Sequence, residues 1–457
     1  MSFDETNLVP NAGLLPAAVL AQRLDLAGLV DGRLRLAQHG ANSGAKAVSV
    51  IGAMLAGGDS IDDVAVLRAG AAGALFDGTR APSTVGSWLR SHKWSNVRQL
   101  DAISRELLAR LWAAGAGPAD LTAPLTIDID STIVQVHGRA KQGAAFGYTK
   151  VRCYHPQLAT CAQTGQVLMC RLRGGSAGAA RGAKSFLTET VSRVRHAGAT
   201  GPLTVRADSA FYSKSMIETA VKFDVRFSIT ARQDKAIRAA IEQIGDDAWQ
   251  PIPYWLSTPE VSGADIAETP FTVFASDRKH ARQVRLVVRR VRPTPGSQLA
   301  LFTAWDYHAL VTDRTLPLPE VEADHRRHAV VEQSIAELKS AGLAHLPSVI
   351  LSPFADHAAD LAIFVVTGVV DAGGWGPRQH GPMSFDGLPL GVSRRWMVPR
   401  IAEVRCSPRA WASASRSSRL SCSSRRSRSV DASSRRSSEA SEARCRLGGM
   451  RLDGCAW

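Results

Sequence analysis

An α/β fold with a mixed sheet covered by helices is predicted for this chain, and three observations predict it. Residues 17–114 carry Ala, Leu and Arg at helical spacing with Gly and Asp punctuation. From Pro124 the pattern switches: Leu125, Ile127 and Ile129 alternate with Thr126, Asp128 and Asp130, the period-two signature of a strand with one wet face. Beyond it, strand-like and helix-like stretches take turns as far as Ile244, an order that builds a sheet with helices on its faces.

Taken in order, the helical start contains Ala81-Pro82-Ser83-Thr84, a cap and a helix-start proline. The helix that follows, residues 85–93, is predicted to be a recognition helix that presents Trp88, Arg90 and Lys93 to DNA. An ordinary surface helix anchored by Trp88 and Leu89 is the competing reading. The strand at 125–130 is followed by a predicted hairpin, 157–161 and 167–172, turning at Thr164-Gly165. A helix at 184–197, a strand at 203–207 ending at Asp208, a helix at 214–223, a strand at 225–230 and a helix at 234–244 complete the alternation. Between Trp249 and Asp313 the helical signal gives way to short strand candidates, 271–274, 284–291 and 301–305, read as a β-rich insertion. Helical periodicity returns at 323–341 and again around 354–370. The implied domains are 1–120, 121–245, 246–315 for the insertion, 316–372 for the rest of the core, and 373–457 for a low-complexity tail.

Composition narrows the function. The chain has 457 residues, 45% of them hydrophobic, a net charge of +14 and a pI near 9.9, which suits two or three globular units and a polyanionic partner. Asp4 and Glu5 sit where a secretory signal would be basic, and the longest apolar stretch, 361–370, is about half a membrane span, so a cytoplasmic, nucleoid-associated protein without a membrane partner is expected. Seven cysteines without paired spacing argue against a disulfide framework or a zinc site. After Pro399 the tail holds thirteen Arg, no Lys and five acids among serines, with no apolar period, and is predicted to be disordered. It reads either as a basic nucleic-acid arm or as a GC-rich gene translated in a shifted frame.

The residues that carry chemistry are acids. Asp128 and Asp130 project from the same strand face, and either could reach a metal; Asp130, nearer the strand end, is favoured. Asp208 ends an apolar strand, at the carboxyl edge where sites form in α/β sheets. On a continuous helix His325, His328 and Lys339 fall within roughly 40° of Glu332, while Val331, Ile335 and Leu338 make an adjoining apolar strip. Three carboxylates from two strands and a helix form an all-oxygen set suited to Mg²⁺ and phosphodiester chemistry. Gly174-Gly175-Ser176-Ala177-Gly178 lacks the further glycine of a phosphate loop, and no Gly-x-Ser-x-Gly elbow occurs. The basic run Arg285, Arg289, Arg290 and Arg292 either lines DNA or is a solvated strand face.

Asp130-x-Thr132, Asp208-Ser209-Ala210-Phe211-Tyr212 and Glu332 followed by Lys339 resemble the insertion-sequence transposases of the DDE type, with an RNase H-like core. More narrowly the chain resembles the group with a Tyr-x2-Arg-x3-Glu-x6-Lys box and a β-rich insertion; Val136-His137-Gly138, Gly143-Ala144-Ala145, Gly147-Tyr148 and Tyr154-His155-Pro156 are similar to that group's segment after the first aspartate. The resemblance implies that Asp130, Asp208 and Glu332 hold two Mg²⁺, with Mn²⁺ as a substitute, and that Lys339 touches a phosphate near the cut. It implies DNA partners, the element's terminal inverted repeats and the target, and a homodimer in a paired-end complex. It also implies a tryptophan, Trp249 or Trp255, stacked on a flipped base. The group's Tyr and Arg are replaced by His325 and His328, so a shorter, pH-dependent DNA contact is expected, with reduced activity or activity favoured at lower pH. A catalytically impaired DNA-binding remnant and a metal-dependent nuclease are the alternatives.

Overall fold

The computed structural model describes residues 9–58, 60–74, 78–137, 143–253, 263–292 and 305–339. Two compact units divide the chain, Met1–Ser384 and Phe385–Trp457; the second, like the predicted helix at 354–370, lies outside the described residues.

The first hundred residues are helical, as their periodicity predicts: α1 Leu15–Arg23, α2 Leu26–Arg33, α3 Ser43–Leu55, α4 Pro82–Arg90 and α5 Trp94–Ala113. Pro82 opens α4, where its missing N–H costs nothing, behind an extended Ala81. The Lys93 N–H donates to Asn96 Oδ1 (2.9 Å), closing the start of α5. Helices α2 and α3 meet at Gly44, where a Cβ would stand 2.3 Å from the Ala27 carbonyl oxygen. Trp88, Leu100, Ile103 and Leu107 fill the core between the helices. No single helix among the described residues is long and apolar enough to cross a membrane; Ala12–Arg23 and Leu26–Arg33 together pass that test by length and composition, bent by 50°, and most of their apolar residues, Leu15 excepted, pack in the core.

The rest is built on a sheet. Its elements in chain order are β1 Leu125–Ser131, β2 Val134–Gln135, β3 Ala145–Phe146, β4 Arg152–Tyr154, β5 Gln157–Cys161, β6 Val167–Arg171, α6 Ala183–His196, β7 Leu203–Ala207, α7 Lys214–Lys222, β8 Val225–Thr230, α8 Lys235–Glu242, β9 Gln250–Ile252, β10 Ala264–Val273, β11 Arg282–Val291, β12 Asp306–Thr312, α9 Leu318–Arg326 and α10 Val330–Leu338. The large sheet runs β6-β5-β1-β7-β8-β12-β11-β10-β9, and β2-β4-β3 form a small second sheet. Strands β1, β7 and β8 are parallel, and β5 and β6 fold back antiparallel beside β1. That order and sense are the RNase H-like arrangement. Strands β5 and β7 are buried along almost their whole length even though they carry polar residues, Gln157 and Thr160 in β5 and Arg206 in β7.

The strands of the β-rich region continue the core sheet, since β12 pairs antiparallel with β8, Val311 opposite Ile229. One expectation changes. The helix around Glu332 is not continuous, because a 3₁₀ turn, Arg327–Ala329, separates α9 from α10.

Candidate active site

Parallel pairing sets the centre of the site. Ile129 lies opposite Ala207, so the next residue on each strand, Asp130 and Asp208, emerges side by side at the carboxyl ends of β1 and β7. Each is oriented by the backbone: the Ser131 N–H donates to Asp130 Oδ1 (2.6 Å), and the Ala210 N–H donates to Asp208 Oδ1 (3.1 Å) as the cap of a short 3₁₀ turn. Helix α10 packs on β1 through the predicted strip of Val331, Ile335 and Leu338, all buried, and leaves Glu332 exposed. The Asp130 carboxyl is pushed above its ordinary range by burial and by the negative charges of Asp208 and Glu332, against the Ser131 N–H and His328. Burial likewise raises Asp208, against the Ala210 N–H and His328. Burial lowers Lys339 while the charge of Asp130 works the other way. The four predicted residues Asp130, Asp208, Glu332 and Lys339 therefore share one electrostatic neighbourhood.

Asp128 has a different task. It is buried, and Arg206, its register neighbour on β7, donates to both of its oxygens, Nε to Oδ1 and Nη2 to Oδ2, each at 2.7 Å. His328 Nδ1 donates to Oδ1 as well, at 2.9 Å. Burial alone would raise Asp128, but these bonds and charges outweigh it and hold the carboxyl below the usual range. Arg206 Nη1 also donates to the Asp324 carbonyl at the end of α9, and Asp324 pairs with Arg314. The sequence reading left Asp128 and Asp130 both open as first ligand; the structure commits Asp128 to this internal network and leaves Asp130 at the strand end.

Several expected DNA contacts are spent inside the protein. Trp88 is fully buried, its Nε1 donating to Ser43 Oγ (3.0 Å), which corrects its assignment to a DNA-reading face. Arg90 and Lys93 on the same segment are exposed. His325 is a second correction: its ring nitrogens meet the Ser228 (2.8 Å) and Thr230 (3.0 Å) hydroxyls, and burial together with the charges of His328, Arg206 and Arg289 brings its pKa down to about 3. Both ring nitrogens are thus taken up by β8 hydroxyls, and the ring lies near that of His328, centroids 6.4 Å apart. His328 is mostly covered and tied to Asp128. In the insertion, Arg285 pairs with Glu268, Arg289 with Glu322 and Arg290 with Asp265. Arg290 also lies over the rings of Trp249 and Trp305, at 4.3 and 4.4 Å, so the Trp249 face expected to receive a base is covered by a guanidinium; Trp255 lies outside the described residues. Gly175 sits between the Cys153 and Ala145 carbonyls, with no room for a Cβ, so the glycine stretch is a packed turn.

The pattern reading missed residues around Asp130. His155 Nδ1 donates to the Ala177 carbonyl (2.7 Å), leaving Nε2 to accept from the Ser131 hydroxyl (3.0 Å). Tyr148 and Phe146, at 79% and 68% exposure, stand out on the small sheet, Tyr148 near the His155 ring. Among the motifs, Gly147-Tyr148 and Tyr154-His155-Pro156 signalled this corner, without showing which groups would meet.

A divalent cation suits the donor set. All three acids offer hard oxygens, and the mutual repulsion that raises Asp130 is what a cation would relieve. As the side chains stand, no three His, Cys, Asp or Glu among the described residues already surround a common point. The site is thus a set of acidic oxygens at the carboxyl ends of paired parallel strands, the edge where α/β sheets carry their sites. The chain belongs to the transposase DDE domain group 1 family, which it matches over residues 1–346. Among solved structures, that of the piggyBac transposase in a synaptic complex with hairpin DNA is similar at 11% identity and a TM-score of 0.41, over 80% of this chain and 76% of that one. No curated protein matches.

Proposed function

We propose that this protein is a DNA transposase that cleaves the ends of an insertion sequence and joins them to target DNA. The observation that carries this reading is the juxtaposition of Asp130 and Asp208 on paired parallel strands, with Glu332 of α10 within electrostatic reach of Asp130. Asp130, Asp208 and Glu332 would hold two divalent ions, Mg²⁺ or Mn²⁺, which when bound supply activation of a water or 3′-hydroxyl and stabilisation of the leaving oxygen. Lys339 would hold a phosphate near the cut, and Arg90 and Lys93 would engage the backbone of the terminal repeat. Two ends must be joined in one event, so the working unit is a homodimer with two ends paired, acting on the nucleoid in the cytoplasm.

A second reading, a DNA-binding remnant with impaired chemistry, is favoured by one observation: His325 and His328, in place of the family's Tyr and Arg, are engaged by protein groups rather than free for phosphate. Incubating the protein with a labelled duplex bearing the element's terminal repeats and Mg²⁺ or Mn²⁺ separates the readings. Nicked and joined products that disappear in Asp130→Asn and Glu332→Gln support the transposase. Binding without nicking supports the remnant, and nicking without joining a nuclease.

A further inference from the structure

Strand β1 meets helices α9 and α10 through polar groups as well as through the apolar strip. The Arg206 guanidinium, 2% exposed, uses all three nitrogens: Nε and Nη2 on Asp128, and Nη1 on the Asp324 backbone oxygen and, at 3.2 Å, on its carboxylate. It thus joins β7, β1 and the last turn of α9 with one planar group. From the other side His328, in the 3₁₀ turn, closes on the same Asp128. Glu332 follows one helical turn later, and Asp130 lies two residues beyond Asp128 along the strand.

We infer that Asp128, Arg206, Asp324 and His328 form a clamp that sets where Glu332 stands relative to Asp130 and Asp208, with Arg206 and His328 acting as positioning residues for the carboxylate trio. This rests on the reading of those three acids as the cutting site. A buried ion pair adds little net stability over an apolar replacement of similar volume, whereas removing one partner leaves a costly buried charge. Geometry is the stronger reason for such a pair here. Only a forked, planar cation spans two carboxylate oxygens and a helix-end carbonyl together, and lysine cannot.

The test compares wild type, Arg206→Lys, the paired replacement Asp128→Leu with Arg206→Met, His328→Gln and Glu332→Gln. Metal-free thermal unfolding, affinity for a labelled terminal-repeat duplex, calorimetric affinity for Mn²⁺ alone, and the single-turnover nicking rate are measured on each full chain. The paired replacement is expected to keep its melting temperature and, within about threefold, its duplex affinity, while Mn²⁺ affinity falls about tenfold and nicking about a hundredfold. Arg206→Lys and His328→Gln are expected to fall between it and wild type. Wild-type Mn²⁺ affinity in folded Arg206→Lys and His328→Gln overturns the clamp, whether or not the paired replacement folds, and so does Mn²⁺ affinity indifferent to Glu332→Gln. If Mn²⁺ affinity depends on Glu332 and on the clamp yet wild type never nicks, the transposase reading falls and the clamp stands.

Discussion

Two histidines are held neutral by their surroundings. Burial brings His92 down to about 4, against the Trp88 and Leu89 carbonyls, and His325 down to about 3. Both folded values lie below the ordinary 6.5, so as pH falls the unfolded chain takes up protons first. The stability these rings contribute is therefore whole above about pH 6.5 and drains away as pH drops through about 4, at a cost on the order of 3 kcal/mol for His92. Melting followed by circular dichroism between pH 7.5 and 4.5 is expected to show that decline, and His92→Gln to flatten it. His325 is held uncharged until far below neutral pH, so its ring is not expected to supply a charge-dependent gain in activity at mildly acid pH. Trp88→Ala should cost about 3–5 kcal/mol of stability by chemical denaturation, the loss typical of a buried tryptophan. Exposed Arg90→Ala should instead leave the melting temperature alone, weaken duplex binding for all sequences and reduce its salt slope by about one. A helical period marks Trp88 as facing one side without saying whether that side meets the core or DNA, which is why sequence alone left both readings standing.

Among the elements, local pattern located β7 and β8 to the residue and came within a residue or two for α6, α7 and α8, because alternation, capping by Ser213 and Asp234, and buried apolar runs act over short distances. What pattern does not carry is tertiary pairing. Nothing in residues 306–312 announces that they will bond to 228–230, or that a carbonyl at the end of α9 will be capped by an arginine of β7. Asp130, Asp208 and Glu332 stood out as candidates because strand ends and motif spacing are local; the Arg206 network did not, since Asp128, Arg206 and the Asp324–His328 stretch lie far apart in sequence. The 3₁₀ break between α9 and α10 was hidden for the same reason. At the α2–α3 crossing the balance of terms is explicit. Gly44→Ala would gain about 1 kcal/mol of helix propensity, yet its methyl would collide with the Ala27 carbonyl, and forced separation costs about 1–3 kcal/mol. A net loss of stability is expected on thermal melting, where an exposed helical glycine would give a gain.

For the whole molecule, the charge of +14 makes the encounter with DNA an ionic one. Affinity for a repeat-bearing duplex should fall by at least about tenfold between 50 and 200 mM salt; filter binding with a slope near zero would contradict phosphate-dominated attachment. Three internal ties, Trp112 to Gln166, Arg193 to Asp101 and Arg110 to the Leu24 carbonyl, brace α5 against both the helical region and the sheet. The continuity of the sheet from β8 through β12 to β9 has a mechanical consequence. With β12 zipped to β8, the strands of residues 250–312 cannot swing as an arm about a loose joint when DNA arrives. Bending there must travel as torsion through the hydrogen-bonded rows, so strain applied at the β10–β11 hairpin would be felt at the aspartates two and three strands beyond the seam.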